Sequence, residues 1–168
     1  MNYNYLYSFI LLEYIYFFMK KQYIYSFFYL LGILINIIFN YLLKYLFLTP
    51  KPFIDISLFH LKIIQNNYSW EELGMPSLFS TLLFYSFVYF YLIYPYSWIN
   101  VLFLFFITFG LYFFYKIKQH SFLQLLLGSI IGICFSFLFI FFSKYFLKGE
   151  LKETKKYELF NIDITPHI

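Results

Sequence analysis

Hydrophobic and polar positions in this chain separate into long blocks. Five apolar runs, at 3–19, 22–48, 77–94, 99–115 and 122–142, are divided by short polar breaks. At 1.5 Å per residue the first run reaches roughly 25 Å, slightly short of a membrane span, and the second is long enough to cross with tilt. The breaks carry the usual stop and start signals. Lys20-Lys21 makes a basic turn, and Thr49-Pro50-Lys51-Pro52 ends the second run. Pro95-Tyr96-Ser97-Trp98 is an uncharged turn, and Lys116-Ile117-Lys118-Gln119-His120-Ser121 divides the last two runs. The longest polar interval, 53–75, holds Asp55, His60, Lys62, Glu71 and Glu72. Within it, 54–64 is expected to form a short interfacial helix, with Trp70 as an interface anchor.

Gly74-Met75-Pro76-Ser77 closes that interval. A glycine followed by a proline, here expected at the first helical position, marks a helix start. Such a start carries unpaired N–H groups and partial positive charge, so it suits an anion, and Ser77 adds a hydroxyl there.

Composition fixes the solvent. The chain is 62% hydrophobic and 29% aromatic with 12% charged residues, more apolar side chain than a soluble domain of 168 residues can bury. The expected fold is all-α: a polytopic membrane helix bundle of about five transmembrane helices over 1–147, with a cytoplasmic tail at 148–168. Arg and Ala are both absent, so a Lys where Arg is expected reflects base composition. The net charge of +4 is small and the lysines flank apolar runs, which gives a nucleic-acid partner no support. Cys134, the single cysteine, excludes an intramolecular disulfide. No signal-peptide pattern and no lipidation motif is expected to operate.

Several polar residues interrupt the runs. Glu13 lies mid-run, either as an intramembrane functional carboxyl or as a bundle-facing Glu paired with a tyrosine. Asn36, Asn40 and Lys44 recur every four residues and make a polar ridge expected to face the bundle. Gly128 and Gly132 allow close helix approach. Asn67-Tyr68-Ser69 is an N-glycosylation sequon, relevant if its loop is lumenal. Five spans put Lys20-Lys21 on the same side as the tail lysines Lys144, Lys148, Lys152, Lys155 and Lys156, which the positive-inside rule makes cytoplasmic. The tail ends in Pro166-His167, expected to be disordered. Whichever way the chain is oriented, Lys44, Lys51, Ser77 and His120 fall at one membrane face.

Those residues carry a resemblance. Lys44-Tyr45-Leu46-Phe47-Leu48-Thr49-Pro50-Lys51-Pro52 resembles the first motif of the type 2 phosphatidic acid phosphatase superfamily, Lys, six residues, Arg-Pro, with Lys51 in the Arg place. Gly74-Met75-Pro76-Ser77-Leu78-Phe79 resembles the second, Pro-Ser-x-His. His120-Ser121-Phe122-Leu123-Gln124 resembles the end of the third, with the Gln found in the dolichyl-diphosphatase branch. The resemblance covers roughly 20–145. It implies that His120 attacks phosphorus, that Gln124 orients its imidazole, and that Lys44, Lys51 and Ser77 bind phosphate. The implied partners are membrane lipid and a lipid phosphate or polyprenyl diphosphate, handled at the lumenal face of the endoplasmic reticulum. No metal and no cofactor are implied.

Two positions depart from the pattern. Phe79 stands where the family has its general-acid His, and Phe114 where the third motif has Arg. Lys116 or Lys118 could supply charge only from a shifted register, and His60 could replace the acid only if its loop folded over the site. Loss of a general acid typically costs about 10²–10⁴-fold, less when the leaving group is itself a phosphate. The expectation is a weakened or inactive phosphohydrolase. The alternatives are a non-catalytic member that binds lipid phosphate or scaffolds a membrane complex, and an unrelated small polytopic protein. Geometry separates them, because the first two require Lys44, Ser77 and His120 to converge.

Overall fold

A computed structural model describes residues 4–20, 22–70 and 72–161. Tyr3, Lys21, Glu71 and Pro166-His167 lie outside the described residues, as do the side chains of Lys152, Lys155 and Lys156. Six helices follow in order: α1 (Asn4–Met19), α2 (Tyr23–Phe47), α3 (Ile56–Ile64), α4 (Leu78–Ile93), α5 (Ile99–Lys116) and α6 (Phe122–Asn161). Among the described residues the one β feature is the isolated bridge between Pro50 and Leu73. Tyr23–Phe47, Ile99–Lys116 and Phe122–Lys148 are long and apolar enough to cross a membrane, while Ile10–Met19 and Leu78–Ile93 are shorter apolar helices. The chain is an integral membrane helical bundle. The last apolar run does not end a helix, since α6 continues unbroken into the tail region.

α4 is the hub, packing against α1, α2, α5 and α6. Its 16 residues span only about 24 Å. Its surface is buried nearly all round, including Ser80, Thr81, Leu82, Leu83, Tyr85 and Ser86, as expected of a helix that is apolar on every side. Two devices hold it. Along α2, its tyrosines act as rungs: Tyr85 Oη donates to the Phe28 and Tyr29 carbonyls at 3.3 and 3.2 Å, and Tyr89 Oη to Tyr25 at 2.8 Å. Along α6, glycines let the backbones close. A Cβ on Gly128 would lie 2.6 Å from the Ser77 carbonyl oxygen, and one on Gly132 2.2 Å from that of Thr81. Hydroxyls add polar contacts at the same seam, with Ser80 Oγ donating to the Leu125 carbonyl at 2.7 Å and Ser136 Oγ to Tyr85 at 2.9 Å.

The polar ridge of α2 faces this core. Asn36, Asn40 and Lys44 are all buried. Asn36 Nδ2 donates to the Gly32 carbonyl at 2.8 Å and Asn40 Nδ2 to Thr81 Oγ1 at 3.1 Å. Glu13 is also buried and accepts from the Tyr29 hydroxyl, which lies 2.9 Å from Ser86 Oγ. This is the bundle-facing Glu–Tyr pair. Cys134 is exposed on α6, facing the surrounding lipid.

The helix expected over 54–64 forms as α3, which begins two residues later, at Ile56. Asp55 caps it, accepting from the Ser57 and Leu58 N–H groups at 2.8 and 3.3 Å. Those bonds hold the Asp55 carboxyl below its usual range. Phe59 is buried beneath α3, while Ile56, Leu58, Leu61 and Ile64 are exposed. An ion pair between Lys62 and Glu72 pins the helix to the chain leading back to α4.

Candidate functional site

The site forms where three chain segments meet at one end of the bundle. The first is the exit from α2. Leu48 takes the left-handed conformation (φ 44°) and its N–H bonds the Lys44 carbonyl at 3.0 Å, which turns the chain before Pro50. The second is the approach to α4. Gly74 N–H donates to the Thr49 carbonyl at 2.8 Å and Lys51 N–H to Glu72 at 2.9 Å, so these two segments run side by side through the Pro50–Leu73 bridge. The third is the start of α6. Its Gln124 carbonyl accepts the Ser77 N–H at 3.2 Å, and Gln124 Nε2 donates to the Pro50 carbonyl at 3.0 Å.

Ser77 is the N-cap of α4, with its side chain accepting from the Ser80 N–H. The helix therefore begins at Leu78. Pro76 stands one residue before the cap, which corrects its expected place as the first helical residue. The reason lies in the cap: an extended residue with a side-chain acceptor must precede the first helical turn, and Ser77 fills that place with ψ 111°. Ser77 is fully buried, and its carbonyl accepts from both Thr81 N–H and Thr81 Oγ1, each at 3.0 Å.

Lys44 is 8% exposed, and its Nζ donates to the Leu73 carbonyl at 3.1 Å. This places an ammonium group from α2 under the approach to α4. Lys51 follows one turn of chain later and is half-buried. His120 is 2% exposed, and neither imidazole nitrogen has a hydrogen-bond partner in good geometry. Burial holds its pKa down to about 4, helped by the positive charges of Lys51 and then Lys44, while Gln124 and the Gly74 backbone oppose the shift. The imidazole is therefore neutral at neutral pH, with a lone pair available. Lys44, Lys51, Ser77 and His120, far apart in sequence, are brought to one place.

The Gln124 side chain is bonded to backbone on two segments. Its Oε1 accepts from the Ser121 N–H at 3.0 Å while its Nε2 holds Pro50. It also fills the space over Gly74, where a Cβ would lie 2.4 Å from Nε2. That close approach explains the glycine. Gln124 is thus a tie between all three segments as well as a neighbour of His120.

The two residues that depart from the pattern lie against each other. The Phe79 and Phe114 rings have centroids 4.3 Å apart, and Phe114 lies 6.0 Å from the His120 ring. Gly110 makes room for Phe79, since a Cβ there would come within 2.9 Å of its ring. Phe114, backed by Phe79, makes an apolar wall on one side of the imidazole. His60 is exposed on α3. Lys116 and Lys118 are exposed as well, and Lys116 Nζ donates to the Tyr112 hydroxyl at 3.2 Å.

Sequence reasoning missed Thr81, which couples Asn40 to the Ser77 carbonyl, and the Leu73 carbonyl that receives Lys44. A backbone acceptor leaves no mark in a sequence. The Asn36-Asn40-Lys44 spacing is the one signal that pointed toward Thr81.

Comparison with known proteins adds one match. The family model described as PAP2 superfamily matches residues 25–148, well over half of the chain. No curated protein and no solved structure gives a match. The matched span contains all three segments of the site, and the chain belongs to the PAP2 superfamily.

Proposed function

We propose that this protein handles a lipid phosphate or a polyprenyl diphosphate such as dolichyl diphosphate, binding its phosphate at Lys44, Lys51, Ser77 and His120, with hydrolysis strongly weakened. The observation that carries this reading is the buried, neutral imidazole of His120 beside two lysines and a close, tilted Phe79–Phe114 ring pair. The lysines and the start of α4 would hold the phosphoryl oxygens. A neutral His120 is in the protonation state needed to attack phosphorus. Gln124 would orient the imidazole. The missing step is protonation of the departing oxygen, which Phe79 has no group to perform. A diphosphate relieves that step, because phosphate leaves without a proton more readily than an alkoxide.

A second reading follows from the same Phe79–Phe114 contact: a non-catalytic member that binds lipid phosphate or scaffolds a membrane complex. The distribution of lysines supports a site on the face opposite the cytoplasm, with 1–147 as the membrane domain and 148–168 as a cytoplasmic tail; the endoplasmic reticulum, where that face is lumenal, is the compartment the family resemblance suggests. The test of the pocket is orthovanadate binding to the purified protein in detergent. Lys44→Ala and His120→Ala should each abolish it. Binding that survives both substitutions would sink the proposal.

A further inference from the structure

A cavity of about 430 Å³ opens between α5 and α6, below the turn that joins them. Its walls are Leu111, Tyr112 and Tyr115 from α5 and Phe122, Leu126 and Ile130 from one face of α6. Phe84 of α4 forms part of the floor. The cavity exists because α5 packs on α4 and, among the described residues, makes no extensive contact with α6. Most of the wall side chains are well exposed, Tyr112 at 59%, Tyr115 at 56% and Phe122 at 69% among them. In an integral membrane protein such a cleft faces hydrocarbon, not water.

Its size decides what fits. A volume of this order lies in the range of small-ligand sites, roughly 300–1,000 Å³. A transmembrane helix about 10 Å across and 30 Å long fills several times as much. One hydrocarbon chain fits the cleft and a helix does not. The chemistry along it is graded. The lining is aliphatic and aromatic apart from Ser129, and Lys116 stands just outside it at the end near the turn, held over the ring and hydroxyl of the lining residue Tyr112. Tyr115 and Phe122 stand on either side of the turn that bears His120. Apolar walls with a cation at one end match an anionic headgroup on a long chain.

We propose that the α5–α6 cleft seats one hydrocarbon chain of a phosphate-bearing lipid, with its headgroup directed at the turn that carries Lys116 and His120. The headgroup placement rests on the phosphate-binding reading above, whereas the seating of the chain does not, since the cleft lining includes none of Lys44, Lys51, Ser77 or His120. The cleft would select for chain bulk independently of the phosphate.

The experiment uses the full chain in nanodiscs containing phosphatidic acid with a photoreactive diazirine midway along one acyl chain, followed by peptide mapping. Adducts are expected on α5 around Leu111 and Tyr115 and on α6 around Leu126 and Ile130. Ile130→Trp and Leu126→Trp change side chains at the cleft wall that are exposed at 49% and 42%, so both variants should fold. Each should lower labelling of the cleft peptides about tenfold, the loss expected when about two methylenes lose their seat. Adducts spread evenly over the lipid-facing surfaces of α2, α5 and α6, and unchanged by either tryptophan, would overturn the proposal. Lys44→Ala separates the two ideas: it should abolish vanadate binding and leave chain labelling in the cleft intact. Cleft labelling in a wild-type protein that binds no vanadate would remove the phosphate reading and the headgroup placement while keeping the chain site.

Discussion

Gly128→Ala tests whether the α4–α6 seam positions the phosphate site. The new Cβ would stand 2.6 Å from the Ser77 carbonyl oxygen, 3.1 Å from Ser80 Cβ and 3.2 Å from Thr81 Oγ1. Ordinary contact begins at 3.4 Å, so the backbone of Ser77 or the axis of α6 must yield by 0.8 Å (3.4 less 2.6). The nearest atom is main chain, so no side-chain rotation relieves the clash. Overpacking of this kind costs about 1–3 kcal/mol, and alanine returns about 1 kcal/mol over glycine as a helix former. Global stability should therefore fall by no more than about 2 kcal/mol. Locally the damage is larger. Ser77 caps α4, bonds the Gln124 carbonyl, and receives Thr81, which in turn holds Asn40. Displacing it disturbs both the cap and the ridge that ends in Lys44. Vanadate affinity of the purified protein should drop about tenfold, equivalent to about 1.4 kcal/mol, with a modest fall in Tm. Gly32→Ala is the control. Its Cβ would meet the Tyr85 hydroxyl at 1.9 Å, away from the site, and should lower Tm while leaving affinity alone. Equal affinity loss in both variants, or none in Gly128→Ala, would refute the positional reasoning.

Protonation of His120 gives a second prediction. The unfolded imidazole titrates near 6.5 and the folded one near 4, so the unfolded chain binds more protons between those values. Stability present above pH 6.5 is then lost as pH falls through this window, by about 3 kcal/mol at most. Thermal melts should show the loss in wild type and not in His120→Ala, and a flat wild-type profile between pH 7 and 4 would count against it. Bound phosphate offsets the Lys51 and Lys44 charges and should move the His120 titration, followed by nitrogen NMR, upward; an unmoved titration with phosphate bound argues that the anion sits elsewhere. Lys51→Arg restores a two-pronged donor and should tighten vanadate binding several-fold, whereas weaker binding would place Lys51 outside the contact shell. Phe79→His should create turnover of alkyl phosphates, checked by phosphate release, and adding Phe114→Arg should lower Tm in the absence of phosphate by placing a third positive charge near Lys44 and Lys51; a double variant as stable as wild type without phosphate would oppose that electrostatic account.

The helical bundle was legible because lipid solvation forces long apolar runs, and the polar breaks fall close to the observed helix ends. The buried ridge was legible for a related reason: Asn36, Asn40 and Lys44 share a helix face, and polar groups in hydrocarbon must turn inward. The convergence of Lys44, Ser77 and His120 followed from span parity, which fixes the membrane face and not the distance. What stayed hidden is local and three-dimensional. The first helical residue moved from Pro76 to Leu78, with Ser77 as the cap, because a side-chain acceptor on an extended residue outweighs a rigid φ at the helix start. The contact of Phe79 with Phe114 joins residues 35 positions apart in chain order (114 less 79); each reads separately as a departure, and only packing shows one apolar wall. The continuation of α6 past 142 was masked by charge, because lysines and glutamates form good helices outside the membrane as well.

The most direct measurement compares leaving groups. Purified full-length protein is given p-nitrophenyl phosphate, whose phenolate departs without a proton, beside phosphatidic acid, whose alkoxide requires one. A site that keeps its phosphate cradle and lacks its donor should turn over the aryl ester far faster, with all activity lost in His120→Ala, and Phe79→His should raise phosphatidic acid turnover by about 10²-fold or more. Wild-type protein that hydrolyses both esters at comparable rates, with Phe79→His making no difference, would contradict the account.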